Sequence, residues 1–474
     1  MQALWFLILA GLMALCPGMA AAHAFGARYD LPLPLVFYLI AAGLAVAVSF
    51  AAVAIFLRRD TVQIHEVGVQ IPHVVRWPGA ILLRMSGMAI FLLLLITAFV
   101  GPQVATQNFA TVFVWVLWWV GYLLFSAMVV ETWPAVDPFR GSFLCLCRIT
   151  GRDPHVGRDL PRLAPYLAPS GLLAIAWIEL VSDWSEDPRA LRFLMLIYAV
   201  VSILAGWRYG MAWFTRVDLF GRLFALLGRM AVLSVGRDGR LACRAPGEGL
   251  LGRPEPERGE AAMVCFLIGI VLFDGLSETP LWAAVLDGVS TSQALRGTLL
   301  ALRDMGFDLL KLLLSLGLFT TVTVFFVAYM LLSALMRLMA RGATSSTFIL
   351  AAAMAGALLP IAIAYHLSHY VSYLLIAGQL ILPAASDPLA LGWDLFGTAD
   401  RRIDVGVIGA RQVWWVAMAA LIVGHSLSVL LGHRRAIEVF GAARPAARSQ
   451  WPMMVAMVGL TVLSLWILSQ PIIE

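Results

Sequence analysis

Six ionisable side chains fall near the ends of, or within, long apolar stretches: Glu179, Asp183, Asp274, Glu278, His366 and His369. An ionisable group at the middle of a membrane helix costs about 2.5–3.5 kcal/mol on insertion scales, so such groups face a cavity or a partner. His366 and His369 stand three apart in Tyr365-His366-Leu367-Ser368-His369-Tyr370, close to one helical turn, which predicts both imidazoles on one face. Asp274 and Glu278 are four apart, as are Glu179 and Asp183, and each pair is expected to share a face in the same way. Imidazole and carboxylate together suit a divalent transition metal such as zinc or copper. They suit a proton or another small cation equally well, because histidine titrates near neutrality. Gln379 follows the histidines toward the end of their segment and is expected to extend the same path.

Four further residues qualify this picture. His23 follows Ala20-Ala21-Ala22, so cleavage after Ala22 would make it the mature N-terminus, with an amine and an imidazole able to chelate copper(II). Arg84, Glu131 and His425 are expected in the opposite half of the membrane from the six, with Arg84 and Glu131 as a buried ion pair. Counting 1.5 Å per residue from the expected segment ends puts His425 roughly 15 Å from His366 in depth. On that estimate the two cannot ligate one haem, and no other segment offers a histidine at the level of His366 or His369.

The elements that must hold these groups are membrane helices. The chain has 474 residues, 61% hydrophobic and 13% charged, against about 25% charged in soluble domains. A water-soluble monomer and a disordered chain are both excluded. Residues 1–22 have a short apolar run and a small-residue end, the pattern of a secretory signal peptide, with an uncleaved first helix as the other reading. Ten spans are then expected, near 35–57, 80–101, 113–133, 168–184, 190–213, 263–282, 309–336, 348–377, 411–432 and 452–470. They should be helices, because in hydrocarbon a lone apolar run satisfies its backbone only as a helix. The fold class is therefore an all-α polytopic bundle. Its expected organisation is a first block over 23–213, a loop over 214–262, and a second block over 263–474 with an outer loop at 380–410.

Charge sets the orientation. All but one of the 33 basic residues are arginine, and the alternate loops that begin at residue 58 hold 22 of them against 9 on the other side. The positive-inside rule then places the mature N-terminus and the C-terminus outside, in the periplasm of a bacterial inner membrane. The arginines are spread along one face, which argues against nucleic acid as a partner. The stretch 217–230 alternates apolar residues with Arg222 and Arg229 and reads as an interfacial helix on anionic lipid. The rest of loop 216–262 is turn-rich, a linker or a docking point for a protein partner. Trp115, Trp118 and Trp119, with Trp414 and Trp415, are expected as anchors in the aromatic belt.

No G-x-x-x-x-G-K-[ST], G-x-S-x-G, H-E-x-x-H or C-x-x-C-H occurs, and nothing else in the sequence argues for an enzyme. The residues point first to a permease for a small cation, a transition metal or a proton-coupled solute, its path lined by Asp274, Glu278, Glu179, Asp183 and Gln379. A membrane subunit of an oxidoreductase or copper-delivery system, with metal or haem held through His366 and His369, is the alternative. A membrane scaffold is the third reading.

Overall fold

A computed structural model of the chain describes residues 34–56, 67–70, 73–236, 240–252, 257–340 and 346–470. The expected signal segment and His23 lie outside these residues. The protein is an all-α polytopic bundle. We label its main helices α1 (Leu35–Phe56), α2 (His73–Val100), α3 (Phe109–Met128), α4 (Pro138–Thr150), α5 (Ala164–Leu180), α6 (Pro188–Tyr209) and α7 (Leu219–Leu227). Then come α8 (Glu260–Ser277), α9 (Leu309–Ala340), α10 (Thr347–Ala355), α11 (Leu359–Ala377), α12 (Ala410–Phe440) and α13 (Ala443–Leu468). Among the described residues, nine helical segments are long and apolar enough to cross a membrane, with α10 and α11 forming one of them. The tenth expected span is α5, whose 17 residues reach only about 25 Å, short of a hydrocarbon core of roughly 30 Å.

Local chemistry fixes several boundaries. Asn108 starts α3 by accepting the amides of Ala110 and Thr111 at 2.9 and 3.3 Å. The middle of α3, Phe113–Tyr122, winds as a π-helix. A 3-10 turn at Gly356–Leu358 separates α10 from α11. Pro360 then sits in the first turn of α11, where its missing N–H costs no helical bond. Tight contact between α11 and α12 comes from Gly424: a Cβ there would lie 2.4 Å from Ala364 Cβ and 2.7 Å from the Pro360 carbonyl. Small residues permit such approach between membrane helices. At the far end of the chain, Tyr38 of α1 packs edge-on against Trp414 of α12, with ring centroids 5.8 Å apart. The first described span thus packs with the last two, across the expected division between 23–213 and 263–474.

The arginine-rich side departs from expectation in a specific way. The amphipathic segment is present as α7, but Leu219, Phe220, Leu223, Phe224, Leu226 and Leu227 are all buried inside the protein. Phe220 and Phe224 pack on Trp118 and Trp133. Arg222 pairs with Glu257, and Arg229 pairs with Glu257 at 3.1 Å and Glu260 at 2.8 Å. The helix meets protein rather than lipid because its apolar side is broad and aromatic partners stand ready to cover it. Beyond it, β2 (Leu233–Val235) and β3 (Arg240–Cys243) join β1 (Val67–Gln70) in an antiparallel sheet ordered β1-β3-β2. A periodicity search for helices does not find strands this short. The reading of this loop as a linker gives way to a folded cap.

Two aspartates stitch this cap together. Asp137 starts α4 by accepting the amides of Phe139 and Arg140, and Asp218 starts α7 by accepting that of Gly221. Both are 2% exposed. Tyr198 donates to Asp218 at 2.6 Å. Burial, and secondly the charge of Asp218, push the Asp137 carboxyl up to about 7. Its folded value lies above the unfolded one, so the protonated form favours the fold. That stability is complete below the ordinary aspartate range and is lost as pH rises through about 7. We therefore expect thermal stability in detergent to fall between pH 5 and pH 8. Asp137→Asn, which keeps the cap, should remove about 1 kcal/mol of that fall for each pH unit. Identical pH profiles for the two proteins would contradict the assignment.

Candidate functional site

The site is built on α8. This helix is buried on nearly all sides, from Glu260 through Gly275, and it packs against α5, α9 and α11. Its last turn carries Asp274, which is 8% exposed. A carboxylate so nearly buried needs neighbours to satisfy it. They come from α11. His369 Nε2 lies 2.9 Å from Asp274 Oδ2, and the Tyr370 hydroxyl donates to the same oxygen. Glu278 completes the group: α8 ends at Ser277, but Glu278 stays helical in conformation at the cap and remains one turn from Asp274. One donor atom from each of Asp274, Glu278 and His369 can be chosen so that all lie within 4.8 Å of one another. The set lies at the end of α8 away from the arginine-rich loops.

Surrounding residues hold this cluster from several helices. Glu179, near the end of α5, accepts the Trp119 indole N–H at 2.7 Å and lies within electrostatic reach of Asp274 and His369. His366 packs its ring on Tyr370 with centroids 4.7 Å apart, and its Nε2 has no partner among the described residues. The Tyr365 hydroxyl is likewise buried and unpartnered. It lies 3.3 Å from where a Cβ on Gly275 would stand, and His369 Nδ1 lies 3.7 Å from the same point. Gly275 thus opens room where α8, α11 and Ile467 of α13 meet. Chemically the arrangement offers two carboxylates, one imidazole and phenolic hydroxyls in a water-poor setting. That is a set of donors for a cation, or a short relay for a proton.

Comparison with protein-family models, with curated proteins and with solved structures returned no match. The site rests on its own geometry.

The remaining candidates are placed as follows. Asp183 does not join the cluster. Because α5 ends at Leu180, Asp183 falls on a following 3-10 turn rather than one helical turn beyond Glu179. There its carboxylate is 81% exposed and pairs with Lys311. Gln379 ties down the loop that follows: its amide donates to the Asp404 carbonyl at 2.9 Å and accepts the Asp404 amide at 3.0 Å. The acids of loop 380–410 cap the loop's own backbone, Asp387 on Leu391 and Gly392, Asp394 on Ala399. Arg84 and Glu131 form no ion pair among the described residues. The stem of Arg84 packs by Gly141, whereas the charges nearest Glu131 are those of Arg229, Arg140 and Arg244. Residue 131 follows the end of α3 and turns toward α7, where Gly228 leaves it space. Burial nevertheless raises the Glu131 carboxyl above its ordinary range.

His425 is also placed differently in depth. Gly424 meets Pro360 and Ala364, and Ser368 donates to the Ala417 carbonyl. These contacts put His425 level with about residue 361, so His366 stands only roughly 8 Å away along the helix axis. The expected 15 Å was too large because α12 runs on to Phe440, well past the expected end of its segment. Sequence reasoning missed Tyr370, Tyr365 and Trp119. Trp119 was expected in the interfacial belt, yet it is 5% exposed inside the bundle. The adjacency of Tyr370 to His369 was the available signal. Tyr370→Phe removes one of two donors to a buried carboxylate. It should destabilise the protein by about 1–3 kcal/mol, read by thermal denaturation in detergent. A change within error would mean that Asp274 does not rely on this bond.

Proposed function

We propose that the protein is a permease of a bacterial inner membrane that moves a small cation through a path opening at the Asp274–Glu278–His369 cluster. One observation carries the reading: three donor groups from two membrane helices converge within 4.8 Å, and ionisable groups inside a membrane protein are costly unless they serve one another or a ligand. The positive-inside rule puts the cluster in the outer half, facing the periplasm, with the arginine-rich cap inside. In this reading the carboxylates take up the cation, His369 ligates it or exchanges a proton with it, and Tyr370 holds Asp274 in place. Glu179 adds negative charge beside the site. Two oxygens and one nitrogen suit zinc as a probe ion, since it accepts mixed imidazole and carboxylate ligands.

The redox alternative asks both histidines of the eighth expected segment to hold one metal. Only His369 belongs to the donor set, and His366 is turned onto Tyr370, which favours the cation path. The scaffold alternative asks loop 216–262 to be free for docking. Its apolar helix is committed to the chain's own core.

Asp274→Asn keeps the shape and removes the charge. In proteoliposomes loaded with a cation-responsive dye, flux should fall to the level of empty vesicles while the variant still purifies as a monodisperse protein. Zinc binding measured by calorimetry should be lost in the same variant. Wild-type flux in Asp274→Asn would remove this cluster from the path.

A further inference from the structure

Between the outer cluster and the arginine-rich cap, the seam of α11, α12 and α13 contains buried polar atoms without protein partners. His425 and Ser428 are fully buried and Gln450 is 6% exposed. The Nε2 of His425, the Oγ of Ser428 and both amide atoms of Gln450 have no hydrogen-bond partner among the described residues. The other ring nitrogen of His425 bonds the Leu421 carbonyl at 2.8 Å, which fixes the ring. Each orphaned polar group costs about 1–3 kcal/mol unless water or an ion satisfies it.

Their placement forms a series. His425, Ser428 and Gly432 follow one another at helical spacings of three and four along α12. The Gln450 Oε1 of α13 lies 3.7 Å from where a Cβ on Gly432 would stand, and Ala357 lies equally close. Ala357 and Gly356 in turn line a cavity of about 20 Å³ together with Leu431, Arg435, Glu260 and Arg229, large enough for a water molecule. Arg229 and Glu260 also line a second cavity of about 260 Å³, shared with Arg222 and Glu257. Toward the other side, His425 stands roughly 8 Å below His366, whose own Nε2 is unpartnered.

We propose that His425, Ser428 and Gln450 are the inner half of the path, and that the ion crossing it is the proton. This rests on the outer cluster being where the cation is taken up. The chemistry selects the proton. Between Asp274 and Glu260 no carboxylate lies on α8, and α11 to α13 carry none before Glu438. A divalent metal released from two carboxylates and an imidazole would meet one imidazole, one hydroxyl and one amide, too few hard or charged donors to replace its shell. A proton needs only a titratable group and water that hydroxyl and amide groups hold in line. The titratable groups toward the inner end are His433, Arg435 and Glu438 of α12 with Arg229 and Glu260, and of the helices packed on α12, α1, α11 and the part of α13 past Gln450 carry no charged residue and no imidazole besides His366 and His369. His425 takes the proton on Nε2 while its Nδ1–H stays on Leu421. It gives the proton from Nε2 to water held by Ser428 and Gln450, which carries it to the cavity at Glu260, and returns to neutral.

The test uses full-length protein in proteoliposomes containing a pH-sensitive dye, with flux driven by a potassium diffusion potential. Wild type should acidify or alkalinise the lumen, His425→Gln should slow this about a hundredfold, and zinc entry reported by a zinc dye should be absent. Radiolytic hydroxyl-radical labelling of the wild type, read by peptide mass spectrometry, should modify His425 or its peptide. The proposal is overturned by wild-type proton flux in His425→Gln, by a wild type that passes zinc or nothing instead of protons, or by an unlabelled 421–432 peptide. If Asp274→Asn conducts normally while His425→Gln does not, the outer uptake site is wrong and the inner relay stands. If Asp274→Asn is silent and His425→Gln conducts, the reverse holds.

Discussion

A carboxylate at position 274 must be solvated largely by its own protein, because the helix that carries it is enclosed by other helices and the residue is only 8% exposed. The solution is dense: an imidazole at 2.9 Å and a phenol, both on one oxygen, with a second acid one turn on. Burying such a group is expensive whether or not it is paired. Its partners therefore have to be delivered to within hydrogen-bond distance, and this requirement fixes how α8 and α11 lie together. Gly275 and the Gly424 contact are consequences, since both remove a side chain where another helix must approach. Glu179 and Trp119 extend the same logic outward, an acid satisfied by an indole N–H from a third helix.

The arginine-rich side obeys a different rule. Its apolar helix packs on Trp118 of α3 and Tyr198 of α6, and its charges are answered by specific carboxylates. Arg229 reaches two glutamates, one of which opens α8, so the base of the central helix is clamped to the cap that covers it. Asp137 and Asp218 each spend an oxygen on a helix N-terminus, which offers partial positive charge in place of a full cation. The cap therefore carries a buried acidic pair, whose protonation is coupled to folding, directly beneath the aromatic packing of Trp118, Trp133, Phe220 and Phe224.

The membrane character of the fold was legible because a run of about twenty apolar residues has one good backbone solution in lipid. Nine of the ten expected spans are present as long apolar helices, and α5 differs only by its length. Asp274, Glu278 and His369 were legible as costly residues, but Asp183 looked the same on paper. What separated them was where α5 stops, a boundary decided by packing rather than by propensity. Trp119 carried no warning, because tryptophans of membrane segments ordinarily serve as interfacial anchors, and Tyr370 had only its place beside His369.

By itself the sequence determined that this chain lives in a bilayer, how many apolar segments it has, which loops are basic, and which side chains are too costly to be idle. Those properties follow from composition and from a period of 3.6 residues, both local quantities. Tertiary structure alone decided which costly groups meet, that the first described span packs with the last two, that α7 turns inward, and that His425 lies closer in depth to His366 than the segment ends imply. These depend on helix ends, on tilts and on single close approaches at glycine, where shifts of a few ångströms change the neighbour and no local pattern records the choice.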